Sequence, residues 1–539
     1  MKKTLILLIA ALLLSFSAVS EESETVIAFD GGEITVNGEA ITENPENSVY
    51  LAYRNETHED VPEALKDLYN KVITITDEGK YRISGTIADA QIAVKAEDTD
   101  RVALILDGID ITCRTASAII GYSAYDPRVP GEYGLTIVLE EGSMNKVTGS
   151  HTKKRSDDDV KFDGAIDSMV SLGFEGTGSL TVDADNEGIE VKFGHMTIHS
   201  GVFTIHACDD PLNVSEDGVG TLTVNGGYLY SAVKPVAGGE GDGIDSNGYI
   251  IFNGGTIINL AHPESMDSGI DSDMGSVING GVIVGAGNMY DPIDEASDQL
   301  FMMLEFSEKT DDLIVVTDEN NSPVFAYDFP YDYTYIAFSS PALTPGAYRV
   351  YLGGEIEGRE SNGLYTEITS YIPGAELKHG GDKNADMSND PFRGGMQDFE
   401  NAGQGGFHWG KTPPDGNFQK AQEDIDGLAQ IMEALDKIDL NELLKDRDLN
   451  ELLNGKDLNS LLTGFSLTDL FTQEELSNLF PGIPASSLDL AAAWNGGGNG
   501  GMREFGGFGG MRGMQPSSDE ASRLFMLTKE STGFTNISK

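Results

Sequence analysis

Five short stretches of this chain, "FDGAIDS", "DNEGIEV", "CDDPLNV", "GDGIDSN" and "DSGIDSD", set oxygen-bearing side chains at matching places around a glycine or proline and an apolar residue. The residues are Asp163 and Asp167, then Asn186, Glu187 and Glu190, then Asp209, Asp210 and Asn213, then Asp242 and Asp245, then Asp267 and Asp271. If the stretches stack, equivalent carboxylates come within ~5 Å of one another. At that distance they repel and raise one another's pKa, so the ladder requires a counter-charge. Calcium suits it, because it takes six to eight oxygen ligands in loose geometry at roughly 2.3–2.6 Å. Asp and Gly are also ordinary turn formers, so any single corner reads equally well as a solvated turn. Repetition over five corners favours metal. Zinc is disfavoured, since Cys113, Cys208, His195, His199 and His206 show no ligand pairing, and the ladder lacks the EF-hand pattern.

Such positions stack only if the chain is a repeat. Ile166, Ile189, Leu212, Ile244 and Ile270 align at steps of 23, 23, 32 and 26 residues. A 23-residue unit fits one turn of a parallel β-helix, with three short strands and three corners. A second apolar column, Phe203, Leu229, Ile257 and Ile283, recurs at steps of 26, 28 and 26, with a glycine two residues before each member. Strands alternate faces, so these columns point inward and their neighbours outward. The outward set is Val202, Thr204, Tyr228, Tyr230, Thr256, Ile258, Val282 and Val284. It is too apolar for plain solvated surface, and is therefore either covered by another segment or used for binding. Asn225, Asn253 and Asn279 head successive corners where stacked amides can bond to each other.

Composition limits the partners. The formal charge is -53, from 88 acidic and 35 basic residues. A chain so acidic repels nucleic acid and anionic lipid. It begins with Lys2, Lys3, an apolar run from Leu5 to Leu14, and Ala18-Val19-Ser20. That pattern predicts a signal peptide over residues 1–20 and a secreted or cell-surface protein, with no later membrane span. Cys113 and Cys208 fall about three turns apart, roughly 14 Å, too far for a disulfide, which predicts two buried thiols.

The rest divides by pattern. Residues 21–71 carry strand-like pieces and a short helix in "DVPEALKDLYNKV", capping the solenoid of 72–290. Residues 291–371 keep strand-like runs and predict a small β cap. Residues 372–539 form a Gly/Met-rich tail, containing Trp409 and Trp494, in which Asp439, Asp448 and Asp457 open a nine-residue Leu-rich repeat. That repeat and the capping box in "TQEELSNLF" predict short helices able to dock on the solenoid's outer face or bind a protein partner. The fold class expected is all-β, a parallel β-helix with a small β cap and a low-complexity, short-helix tail.

"VITITDEGKYRISGTIADAQIAVKAEDTDRVALILDGIDITCRTASAII", "LTIVLEEGSMNKVTG" and the GID/NGG corners resemble the bacterial carbohydrate-binding domain family whose founding member binds cellulose and polygalacturonate. The resemblance spans 72–290, and more weakly 291–355. It implies a right-handed parallel β-helix with calcium sites and a pectate-lyase-like fold. It carries calcium ligation onto Asp163, Asp167, Glu190, Asp242, Asp245, Asp267 and Asp271. The chain departs from the pattern at Pro211-Leu212-Asn213.

Three functions fit. The first is a non-catalytic module binding acidic plant cell-wall polysaccharide through calcium. The second is a calcium-dependent lyase, with Lys192 as base and Lys161 and Lys234 as more distant candidates. The third is a cell-surface scaffold or adhesin docking through its Leu-rich tail. Binding ranks first, because Lys192 reads more simply as a partner of its carboxylate neighbours. Tyr228 and Tyr230 share a face and are the ring candidates for a sugar platform, as cellulose would need.

Overall fold

A computed structural model of the chain describes residues 24–55, 61–151, 161–294, 296–382, 525–527 and 534–538. The chain separates into two compact units, residues 1–409 with 516–539, and residues 410–515. The second unit, with the Leu-rich repeat and Trp494, lies outside the described residues, as does Trp409.

The described chain is all-β and mainly parallel. One ladder runs through Ile119–Ser123, Gly164–Ser168, Glu187–Val191, Leu212–Val214, Asp245–Ser246 and Asp271–Ser272. A second runs through Leu135–Leu139, Leu172–Gly176, His195–Ile198, Thr221–Val224, Tyr249–Phe252 and Gly275–Ile278. A third runs through Met144–Gly149, Ser179–Ala184, Val202–Ala207, Tyr228–Val233, Thr256–Leu260 and Val282–Gly287. The chain visits the three in turn, so each strand pairs with the strand three elements later. The long strand Val102–Thr112 pairs with the first members of both the second and third ladders, joining them in one sheet.

Both apolar columns are interior. Ile166, Ile189, Leu212, Ile244 and Ile270 are at most 4% exposed and share one core with Phe203, Leu229, Ile257 and Ile283. Corners are as regular as the core. Asn253 Nδ2 donates to Asn225 Oδ1 at 2.9 Å, and Asn279 Nδ2 to Asn253 Oδ1 at 2.8 Å. The glycine two residues beyond each asparagine turns the corner in the left-handed region, with φ of 89°, 97° and 99° at Gly227, Gly255 and Gly281.

Beyond Gly287 the parallel register ends. Val282–Gly287 pairs antiparallel with Tyr333–Ser339, which also pairs with Phe301–Thr310. An antiparallel sheet of Ile314–Asp318, Pro323–Tyr327, Gly346–Ser361 and Leu364–Glu376 follows. A second core joins Ile258, Val284 and Ala286 of the third ladder's outer face to Leu304, Phe325, Tyr333, Phe338 and Val350. From Tyr228 onward the apolar outer face is thus covered by residues 301–364, one of the two alternatives its sequence posed, while Val202 stays 44% exposed. Tyr228 and Tyr230 pack at the edge of this second core, and the Tyr228 hydroxyl lies 3.0 Å from Ser361 Oγ and 2.9 Å from Asn362 Nδ2. Both rings are thus partly buried against this core, and the Tyr228 hydroxyl is also bonded to the covering sheet.

Three further findings differ from expectation. The helix expected in "DVPEALKDLYNKV" is one 3-10 turn, Glu63–Leu65, among the described residues, since the chain enters a strand at Asn70 before the cost of nucleating a helix is recovered. Cys113 is buried but Cys208 is half-buried, and no disulfide joins them. Within the stretch read as a tail, Phe525–Leu527 pairs with Gly346–Ser361, and Phe534–Ser538 pairs with Phe301–Thr310 and Lys378–Asp382.

Candidate metal centre

The first ladder carries the acidic residues, and its register explains the GID pattern. The isoleucine column points inward. The next position outward aligns Asp167, Glu190, Asn213, Asp245 and Asp271 as direct partners on successive strands. Before Ile189, Ile244 and Ile270 stands a glycine with almost no room for a side chain. A Cβ on Gly243 would stand 2.6 Å from the Gly269 carbonyl oxygen and 2.7 Å from the Leu260 nitrogen, and one on Gly188 would stand 2.3 Å from the Pro211 carbonyl oxygen. Glycine therefore permits close stacking, isoleucine fills the core, and the acid faces out.

Two groups of carboxylates result. In the first, oxygens of Asp163, Glu187 and Glu190 all lie within 4.8 Å of one another, and all three residues are buried. Lys192 joins them, with its Nζ 3.1 Å from Asp163 Oδ2 and in contact with Glu190 Oε1. Lys161 Nζ is 2.5 Å from the other oxygen of Asp163. Asp167 Oδ2 accepts from Ser117 Oγ at 2.6 Å and from the Gly164 amide at 3.0 Å. Ser215 Oγ donates to Glu190 Oε1 at 2.5 Å and Asn213 Nδ2 to Glu187 Oε1 at 3.2 Å. Among the described residues, Asp167 Oδ1, Glu187 Oε2 and Glu190 Oε2 remain buried with no hydrogen-bond donor. Burial, then the charge of Glu190, pushes the Asp167 and Glu187 carboxyls well above the usual range. Burial opposes the charge of Lys192, but Glu190, Asp167, Glu187 and Asp163 outweigh it and hold the ammonium well above its ordinary pKa.

In the second group, oxygens of Asp242, Asp245 and Asp271 lie within 4.8 Å of one another. Asp210 reaches the same corner, its Oδ1 accepting from the Asp242 amide at 2.7 Å. Asp242 Oδ1 accepts from the Ser268 amide at 2.6 Å. None of these four carboxylates forms an ion pair among the described residues, and that separates this group from the first. Burial comes first in raising each, followed by its neighbours. Asp271 and Asp245 lift Asp242, Asp271 and Asp273 lift Asp245, and Asp245 and Asp242 lift Asp210, all well above normal. Asp271 is pushed up to about 6 by burial and then Asp273.

The other nominated residues sit beside these groups. Asp209 is raised to about 6 by burial, then Glu240 and Asp267. Asp267 Oδ2 accepts from the Gly241 amide at 2.7 Å and from Ser265 Oγ. Asn186 supplies its carbonyl to the amides of Cys208 and Asp209 at 2.9 and 3.1 Å. Lys234 binds Asp183 and the Ala184 carbonyl, away from both groups. Two acids here, Asp273 and Asp291, were not nominated from sequence. Asp291 is pushed up to about 8 by burial and then by Asp271. It lies past the last repeat, so no periodicity pointed to it.

Both groups fit a hard divalent cation by donor type. In the first, four carboxylates face two lysines, leaving two negative charges and three buried oxygens without donors. In the second, Asp210, Asp242, Asp245 and Asp271 have no internal cation among the described residues. Asp and Glu oxygens at this density are calcium-type ligands.

Known proteins resemble part of this chain. A "Carbohydrate-binding domain-containing protein" of Acetivibrio thermocellus is 27% identical over 179 residues, which cover 33% of this chain and 59% of that relative's length. The polysaccharide lyase-like protein from C. thermocellum, solved as a gadolinium derivative, is 22% identical with a TM-score of 0.33, covering 48% of this chain and 94% of that one. Residues 69–299, which hold the three ladders and both carboxylate groups, match the family model described as carbohydrate-binding domain-containing protein.

Proposed function

We propose that this is an exported, non-catalytic polysaccharide-binding protein whose residues 69–299 form a right-handed parallel β-helix and hold calcium on the acidic ladder. The handedness follows from the strong right-handed preference of parallel crossovers. The observation that carries the reading is the second carboxylate group, where Asp242, Asp245 and Asp271 converge within 4.8 Å and no ion pair compensates them among the described residues. Calcium bound there would offset part of the strip's negative charge and offer its open coordination positions to uronate carboxylates. This chain's own residues supply the rest. Glycines bring the strands close, isoleucines anchor them, and the amides of Asp242 and Ser268 orient Asp210 and Asp242.

Acidic polymer such as polygalacturonate is the favoured ligand. Cellulose would want exposed rings, and Tyr228 and Tyr230 are partly buried against the second core. The lyase reading is weaker, because a general base must shed its proton near the working pH, whereas Lys192 is paired to Glu190 and Asp163 and held protonated. Binding of polygalacturonate to the purified protein, measured in calcium and again in EDTA, tests the proposal. Strong binding lost on chelation, with no unsaturated product released, supports it. Calcium-dependent accumulation of unsaturated sugars overturns the non-catalytic part, and undiminished binding in EDTA overturns the role of the metal.

A further inference from the structure

Two residues after Glu190, Asn213, Asp245 and Asp271 the first ladder carries a further column. Lys192, Ser215, Asn247 and Asp273 each donate a backbone amide to the preceding turn, to the carbonyls of Ser168, Val191, Val214 and Ser246 at 2.8, 3.0, 3.0 and 3.0 Å. The column therefore runs in register beside the acids, and its charge changes sign on the way. Lys192 stands at the first carboxylate group and Asp273 beside the second.

The Lys192 ammonium sits where a metal ion would. Its Nζ lies 3.1 Å from Asp163 Oδ2 and touches Glu190 Oε1, and the three side chains are only 11%, 10% and 1% exposed. Lys161, 46% exposed, pairs with Asp163 alone among the described residues. An ammonium's few N–H donors cannot reach every oxygen of four carboxylates. Glu187 Oε2 and Glu190 Oε2 accordingly stay buried with no hydrogen-bond partner among the described residues. Oxygens of Asp163, Glu187 and Glu190 nonetheless converge within 4.8 Å, a spacing that ligands at roughly 2.3–2.6 Å from one shared calcium can have. A divalent ion bonded to Glu190 Oε2 would face the ammonium held on Oε1 of the same carboxylate, in a site nearly closed to water where like charges repel strongly. Metal and ammonium therefore compete for this group, and the ammonium is tethered to the strand that carries Glu190, so its effective concentration is high.

We infer that Lys192 is a tethered counter-cation that takes the place of calcium in the first carboxylate group, confining calcium on the ladder to the second, and that the first group becomes a calcium site once the ammonium is removed. The inference rests on reading the ladder's carboxylates as calcium-type ligands. Its test is the calcium bound per chain, measured by metal analysis of the full chain after equilibrium dialysis against calcium. Lys192→Met, which keeps the stem and removes the charge, should hold one calcium more than wild type, whereas Lys192→Arg should hold no more. Glu187→Gln should leave the wild-type count unchanged yet remove the extra ion from Lys192→Met, and Asp245→Ala should leave that extra ion in place. Lys192→Met should also melt below wild type in EDTA and regain most of the difference in calcium, a recovery that lost packing alone does not give. If this variant fails to fold in EDTA, the count is taken on protein prepared in calcium throughout. Equal counts in wild type and Lys192→Met, or calcium lost from wild type on Glu187→Gln, would overturn the inference. Calcium held by Lys192→Met but not by wild type would uphold it and overturn instead the calcium-holding role proposed for the second group.

Discussion

At the scale of single residues, the contrast between the two carboxylate groups is one of internal compensation. Lys192 and Lys161 neutralise part of the first, whereas Asp242, Asp245 and Asp271 have no such partner among the described residues. Asp245→Ala or Asp271→Ala should therefore lower the calcium bound per chain, measured by metal analysis after dialysis against calcium, and should lower the melting temperature in calcium more than in EDTA. A second expectation concerns pH. Asp209 and Asp271 are raised to about 6 and Asp291 to about 8, above the values of the unfolded chain. Between the unfolded and folded pKa the native state binds more protons, so stability is greatest near the lower value and falls as pH rises. Each fully shifted group contributes a slope of about 1.4 kcal/mol per pH unit. Metal-free protein should melt at lower temperature at pH 8 than at pH 5, and saturating calcium should flatten that dependence. A melting temperature in EDTA that rises across this window would refute the assignment.

At the scale of the strand, one registered position does one job. Ile189 is fully buried between Ile166 and Leu212, so Ile189→Ala should cost about 2–5 kcal/mol by leaving a cavity in a stack that cannot collapse easily. Val202, on the outer face and 44% exposed, should tolerate alanine within about 0.5 kcal/mol. Chemical denaturation of the two variants checks the pair. Gly243→Val should be worse than its exposed setting in sequence implies, since the Cβ alone meets backbone at 2.6 Å.

At the scale of the whole chain, the covering sheet is a structural necessity for the third ladder. Ile258, Val284 and Ala286 face outward from the ladders and are buried only because residues 301–364 pack on them. A chain ended after residue 299 keeps the whole family match but exposes this face. It should bind a hydrophobic dye, self-associate and melt earlier than the full chain. A monomeric, dye-negative truncation of unchanged stability would show that the cover is dispensable.

The repeat was legible in sequence because a strand's two-residue alternation and a corner's need for Asn and Gly are local rules, and stacking repeats them at readable intervals. The two inward columns, the asparagine ladder and the alignment of Asp167, Glu190, Asn213, Asp245 and Asp271 all follow from such local chemistry. What packs on what is set by contacts between distant residues, which leave no period. Tyr228 reads from its neighbours as an open ring, and only tertiary structure brings Ser361 and Asn362 to it, 133 and 134 positions along the chain. Lys192 reads as a possible base, and only its burial against Glu190 and Asp163 fixes its charge. Asp291 likewise depends on residues that sequence separates and folding gathers, where burial and proximity, not residue type, decide the chemistry.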